Sequence, residues 1–258
     1  MTFSIAAASR SLSHLLPSNA PVTYLILSSC CIIYGISLLL TIRIGGMRSG
    51  MSGGVLGILM NIGSVHPSVL GRLGGSLRFP GDIFLPWRLI TACFLHANLL
   101  HIFFNMWVLV DIGPAVEELY GSPRFFFLYI VSGIGGYLLS GFMGNSGIGA
   151  SGAIVGLIGL LLAITYRRRS AGMQMLREQI WRWIIYLAIW GFLPGMHIDT
   201  WAHLGGGITG FILGKLMLDR APADSTERRR AYALGWLTAV AVLASFIFMV
   251  FRPYRPLF

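Results

Sequence analysis

The sequence predicts an all-α integral membrane protein with seven spanning helices, and three observations predict it. Hydrophobic residues make up 55% of the 258 and charged residues only 11%, against roughly 25% charged in a soluble domain. Mean hydropathy is +0.75. The apolar residues gather into seven stretches, most of them about the 20 residues a helix needs to cross a hydrocarbon core about 30 Å thick. A water-facing globule of this size cannot hide so much apolar surface. Lipid is the solvent the chain expects.

In order, the stretches cover roughly residues 23–42, 89–112, 125–143, 148–166, 180–196, 201–218 and 232–251. The first follows an N-terminus with Arg10 but no apolar core ahead of a small-residue cleavage site, so it reads as a retained anchor rather than a cleaved signal. The second carries His96, His101 and Asn105. The third opens on Phe125–Phe127, read together with Trp181, Trp183 and Trp190 as lipid contact and interfacial anchoring. The fourth opens on Gly149-Ala150-Ser151-Gly152. The fifth is short, which points to thinned bilayer or burial among neighbours. The sixth opens on Asp199-Thr200-Trp201-Ala202-His203, followed by Gly205, Gly206 and Gly207. The domain reading is a short cytoplasmic N-terminus over 1–20, one membrane domain over 21–220, and a linker with an additional helix over 221–258. The Gly-rich connection from Arg43 to Arg88 holds a moderately apolar patch, 54–62, and is expected on or partly in the outer leaflet, where protein satisfies its backbone.

Net charge is +10, which raises nucleic acid as a partner, but the basic residues stand between apolar segments, where membrane topology puts them. With the N-terminus in the cytoplasm, twelve of the 19 Lys and Arg residues fall inside and seven outside, most of the seven in the long loop. The run Arg167–Arg169 reads as a topology anchor. Three cysteines are too few for a disulfide framework. His14, His66 and His197 read as loop residues, and His96 with His101 lacks the carboxylate that a zinc helix would supply. The glycine spacing at 147, 149 and 152 has no strand before it, so a dinucleotide loop is excluded.

Polar groups inside lipid are costly, so each needs a reason. His101 and Asn105 are four apart and share one helix face. The second, fourth and sixth stretches all run from outside to inside. His101 precedes Glu117 by sixteen residues, Ser151 precedes Arg167 by sixteen, and His203 precedes Arg220 by seventeen. At 1.5 Å per residue, each polar group lies roughly 24–26 Å before an inner-surface charge. The three occupy one layer, a little below the outer surface. In that layer His203 is the candidate base for the Ser151 hydroxyl. His101, Asn105 and the Ser151 amide are candidate donors to an oxyanion. No acidic residue is legible at this depth to complete a triad, so a dyad is expected. Gly206, Gly210 and Gly214 repeat every fourth residue, the spacing that lets membrane helices approach closely.

At these residues the sequence resembles the rhomboid proteases: Trp87-Arg88 in the first loop, His101 and Asn105, then Gly149-Ala150-Ser151-Gly152, then Ala202-His203 with its glycines, over roughly residues 20 to 220. The resemblance implies a rhomboid-like six-helix bundle with a seventh, C-terminal transmembrane helix. It also implies an intramembrane serine endopeptidase with Ser151 as nucleophile, His203 as general base, and His101 and Asn105 in the oxyanion hole. Trp87 and Arg88 would support the loop without a catalytic role. Some members place a Tyr one turn after the serine to stack on the histidine; Val155 stands there in this chain. The expected partners are transmembrane protein substrates and the lipid bilayer, with no nucleic acid, no cofactor and no metal, in a multi-pass protein of a bacterial inner membrane. Two rivals stand against this. A non-catalytic rhomboid-like client-binding protein would lack the Ser–His pair. A transporter would want a mid-membrane carboxylate, and all nine acidic residues fall near stretch ends or in loops.

Overall fold

The computed structural model describes residues 20–45, 62–76, 85–168, 170–191 and 198–251. The expectations for residues 1–19, His14, His197 and nearly all of the 54–62 patch, and for the side chains of Trp183 and Trp190, lie outside the described residues. Among the described residues the fold is entirely helical. Its helices are α1 (Pro21–Arg43), α2 (Pro67–Arg72), α3 (Trp87–Thr91), α4 (Leu99–Tyr120), α5 (Ser122–Phe142), α6 (Ser151–Arg167), α7 (Ala171–Gly191), α8 (Thr200–Leu216) and α9 (Ser225–Phe251), with a 3₁₀ turn at Ala92–Phe94. Four of these helices, α1, α4, α5 and α9, are long and apolar enough to cross a membrane.

The bundle is organised around α6. Twelve of its 17 residues are buried, so its length answers to neighbouring helices rather than to lipid. α8, also 17 residues, packs on α6 and α5, and α7 packs on α6. The core around them holds Tyr120, Tyr129, Tyr137, Phe125, Leu109, Leu128, Leu157 and Leu160, all fully buried. α9 lies outside this core against α5 and α3. Phe246 meets Phe94 edge-on at 5.6 Å between ring centroids, while Trp236, Leu237, Val240 and Phe248 face outward.

Four sequence expectations are corrected. The second stretch is not one span from 89: α4 begins at Leu99 because the Asn98 side chain caps it, accepting from His101 N at 2.8 Å. The apolar residues 92–95 are instead buried in protein. α7 starts at Ala171, nine residues before the apolar stretch, because Arg177, Glu178 and Arg182 mask a continuous helix from hydropathy. Phe125 is no lipid anchor; Arg124, Phe125, Leu128, Tyr129 and Ser132 form a buried stripe at helical spacing. Asp111 is exposed well inside the 22-residue α4 rather than at its end.

Glu117 explains how α1 joins the bundle. Its carboxylate, 1% exposed, accepts from Val22 N at 3.0 Å, Thr23 N at 2.8 Å, Thr23 Oγ1 at 2.7 Å and Ser122 Oγ at 2.6 Å. The unpaired first N–H groups of α1 thus find an acceptor on α4. A hydrogen bond to a charged group contributes about 1.5–3 kcal/mol. Glu117→Ala is therefore expected to lose about 3 kcal/mol or more of stability, and Glu117→Gln to lose less. Thermal unfolding in detergent reads the difference; equal midpoints for wild type and alanine variant would refute the tie.

The connection between α1 and α3 is stitched to the helix ends. Arg88 Nη1 donates to Gly75 O at 2.9 Å and lies over the Trp87 ring, 4.9 Å from its centroid. Ser76 N donates to Gly147 O at 3.0 Å, which ties the loop to the approach to α6. His66, read as a plain loop residue, caps α2 through its ring, accepting from Ser68 N. At the other end Arg167 donates to Gly214 O at 2.9 Å and Met217 O at 2.8 Å, finishing α8.

Candidate active site

Ser151 is the first residue of α6. Gly149, two residues before it, has φ +126°, a backbone that L side chains rarely adopt. Its N–H donates to Ala92 O at 2.9 Å and its carbonyl accepts from the Tyr137 hydroxyl at 2.7 Å. The approach to the serine is thus held by the 3₁₀ turn and by α5.

His203 stands in the first turn of α8, one turn after Asp199. Asp199 caps that helix: Oδ1 accepts from Ala202 N at 3.0 Å and the backbone carbonyl from His203 N at 3.1 Å. The other carboxylate oxygen accepts a hydrogen bond from Ser140 Oγ on α5. His203 Nε2 lies 2.8 Å from Ser151 Oγ, and both side chains are half-buried. Glycine is what lets α6 and α8 come this close. A Cβ on Gly206 would strike the Gly152 carbonyl, and one on Gly210 the Gly156 carbonyl.

His101 arrives from the first turn of α4. A Cβ built on Gly149 would lie 2.6 Å from His101 Nε2 and 3.7 Å from Ser151 Oγ, so imidazole and hydroxyl flank the same small space. Ala97 N donates to His101 Nδ1 at 3.4 Å. In a neutral ring this leaves the proton on Nε2, facing the serine side. Asn105, buried one turn further along α4, donates through Nδ2 to His101 O at 2.8 Å. One of its two amide hydrogens is occupied there.

The structure therefore brings Ser151, His203 and His101 together, with Asn105 behind His101. Val155 lies beside Gly207, whose Cβ would sit 3.4 Å from Val155 Cγ1. His96, completely buried, sets its ring edge-on to His101 at 5.1 Å; neither of its nitrogens has a hydrogen-bond partner among the described residues. Among the described residues no three His, Cys, Asp or Glu side chains cluster as metal ligands. Sequence reading missed Asp199 as an organising group. An acidic residue directly before an apolar helix was the available signal. It also missed Tyr137, for which no local pattern exists.

A Rhomboid domain family model matches residues 85–220. The chain is similar to RHOMBOID-like protein 1 of Arabidopsis thaliana, 35% identical over 181 residues, covering 61% of this chain and 45% of that protein. It is similar to Rhomboid-like protease 1 of Toxoplasma gondii, 38% identical over 165 residues, covering 62% and 53%. It is also similar to Rhomboid protease GluP of Bacillus subtilis, 35% identical over 159 residues, covering 61% and 30%. The chain spans about half the length, or less, of these curated relatives.

Proposed function

Because the chain belongs to the rhomboid family, we propose that it is an intramembrane serine endopeptidase that cuts transmembrane helices of membrane proteins near the outer face of the bilayer. The observation that carries the reading is the 2.8 Å approach of Ser151 Oγ to His203 Nε2. Two of the three relatives described above bear the name protease, in agreement with it.

In this reading His203 Nε2 takes the Ser151 proton as Oγ attacks the scissile carbonyl, then returns it to the leaving amine. The developing oxyanion is met by three donors: Nε2–H of His101, the remaining amide hydrogen of Asn105, and the Ser151 N–H. The last belongs to the free N–H groups that open α6, where the helix dipole favours negative charge. Deacylation consumes a water, which enters from the outer end. A substrate helix shields its peptide bonds by internal hydrogen bonds, so it must unwind before attack. Preferred substrates carry helix-weakening Gly or Pro near the outer surface and small residues at the cut. Residues 21–220 form the protease domain, and α9 is an addition to it. A bacterial inner membrane remains the proposed setting, although the relatives include plant and Toxoplasma proteins.

The test is reconstitution with a single-span substrate bearing such a weakened segment. Two fragments cut near the outer face are expected, together with covalent labelling of Ser151 by a fluorophosphonate that stops cleavage. No fragments and an unreactive serine would overturn the protease reading and leave a client-binding protein in its place.

A further inference from the structure

We propose that Asp199 is a positioning residue that holds nucleophile and base in register, an inference that rests on the dyad reading above. Three pieces of the outer end converge on its carboxylate. The first is its own helix, through Ala202 N at 3.0 Å on Oδ1. The second is α5, through the fully buried Ser140, whose hydroxyl donates to Oδ2. The third is the loop leading to Ser151: a Cβ on Gly147 would strike Asp199 Oδ2, and would lie 2.9 Å from Tyr137 Cε1. Glycine is what lets that loop lie against the acid.

The spacings give this junction its reach. Asp199 is four residues before His203, and Gly147 is four residues before Ser151. Tyr137, three residues before Ser140 on α5, holds the Gly149 carbonyl at 2.7 Å. One carboxylate and one helix end thus control the leads into both members of the dyad. A helix cap needs only Oδ1. The Oδ2 bond to Ser140 adds nothing to capping; it fixes where the capped helix sits against α5. The Ser–His bond has little slack, since 2.8 Å becomes no bond beyond about 3.5 Å. A misplacement of about 1 Å can cost about 10²-fold in rate.

The experiment compares full-length wild type, Asp199→Ala, Asp199→Asn and Ser140→Ala. One readout is the rate constant of Ser151 labelling by a small fluorophosphonate, per folded molecule. The other is kcat and KM on the single-span substrate. Asp199→Ala is expected to slow labelling and kcat by about 10- to 100-fold with KM within about twofold, since the substrate contacts stay in place. Ser140→Ala, which keeps the cap, is expected to slow both about 3- to 10-fold. Asn should return the rate to within about threefold of wild type, because it still caps α8 and its amide can donate to Ser140. A merely structural residue would change the folded fraction and leave the labelling rate per folded molecule alone. That result in Asp199→Ala overturns the inference, as does an Asn variant as slow as alanine. If Asp199→Ala does not fold, wild-type labelling in Ser140→Ala overturns it. Failure of wild type to label or cleave would instead remove the dyad reading, and this inference with it.

Discussion

Ser151→Ala and His203→Ala are each expected to lower kcat for the single-span substrate by about 10⁴-fold or more, and the double variant no further. The two groups sit 2.8 Å apart and, in the proposed dyad, act as one device. Without the imidazole, the hydroxyl keeps its proton and is a poor nucleophile. Without the hydroxyl, the imidazole has nothing to activate for attack. What remains in either variant is the oxyanion pocket acting on adventitious water. His101→Ala should fall between these variants and wild type, at about 10²- to 10³-fold, since it removes one oxyanion donor and leaves the nucleophile intact. Substrate capture should persist in all of them, so KM is expected to move little. Initial rates in vesicles, normalised to folded protein, check the ordering. Cleavage by Ser151→Ala at the wild-type rate would end the dyad reading.

The fold class was legible because lipid imposes a coarse rule: long apolar runs become helices. The meeting of Ser151 and His203 was approachable for the same reason, since residue counts from charged ends become depths at a fixed rise per residue. Hydropathy does not distinguish burial in lipid from burial in protein. Residues 89–98 were therefore read as membrane span, although Asn98 starts the helix and residues 92–96 are buried inside the molecule. For the same reason Phe125 looked like a lipid anchor and is core. Charged residues in helix ends mislead in the other direction, hiding the first nine residues of α7 and placing Glu117 in the inventory of surface markers. Its carboxylate is in fact buried against α1. Tyr137 holds the Gly149 carbonyl across a loop and Asp199 meets the Ser140 hydroxyl on another helix, and no spacing rule encodes such pairs. Gly149 was visible as a residue, but its φ and its role in bringing His101 beside Ser151 belong to the folded chain.

The contact between α6 and α8 is where stability and chemistry meet, and the glycines along it are not equivalent. Gly210→Leu is expected to prevent folding, and Gly210→Ala to cut activity by at least about 10²-fold while leaving a destabilised but folded protein. The nearest atoms to a Cβ on Gly210 are the carbonyl and Cα of Gly156, and on Gly206 those of Gly152. Backbone cannot rotate aside as a side chain can, so the helices must separate, and dispersion contacts along the whole seam are lost with them. Gly206 is three residues after His203, and Gly152 directly follows Ser151. Separation at this seam therefore reaches a hydrogen bond that tolerates well under 1 Å of change. Gly207 sits in the same glycine run, yet a Cβ there would meet only Val155, its Cγ1 at 3.4 Å and its carbonyl oxygen at 3.9 Å. Gly207→Ala is accordingly expected to retain activity within about threefold and to unfold at nearly the wild-type temperature, since a contact at that distance is ordinary packing. A reading from motif alone would rank the three glycines of Gly205–Gly207 together; the geometry separates them. Comparable loss in Gly207→Ala and Gly210→Ala, by fluorophosphonate labelling and thermal unfolding together, would show that backbone proximity is not what these positions contribute.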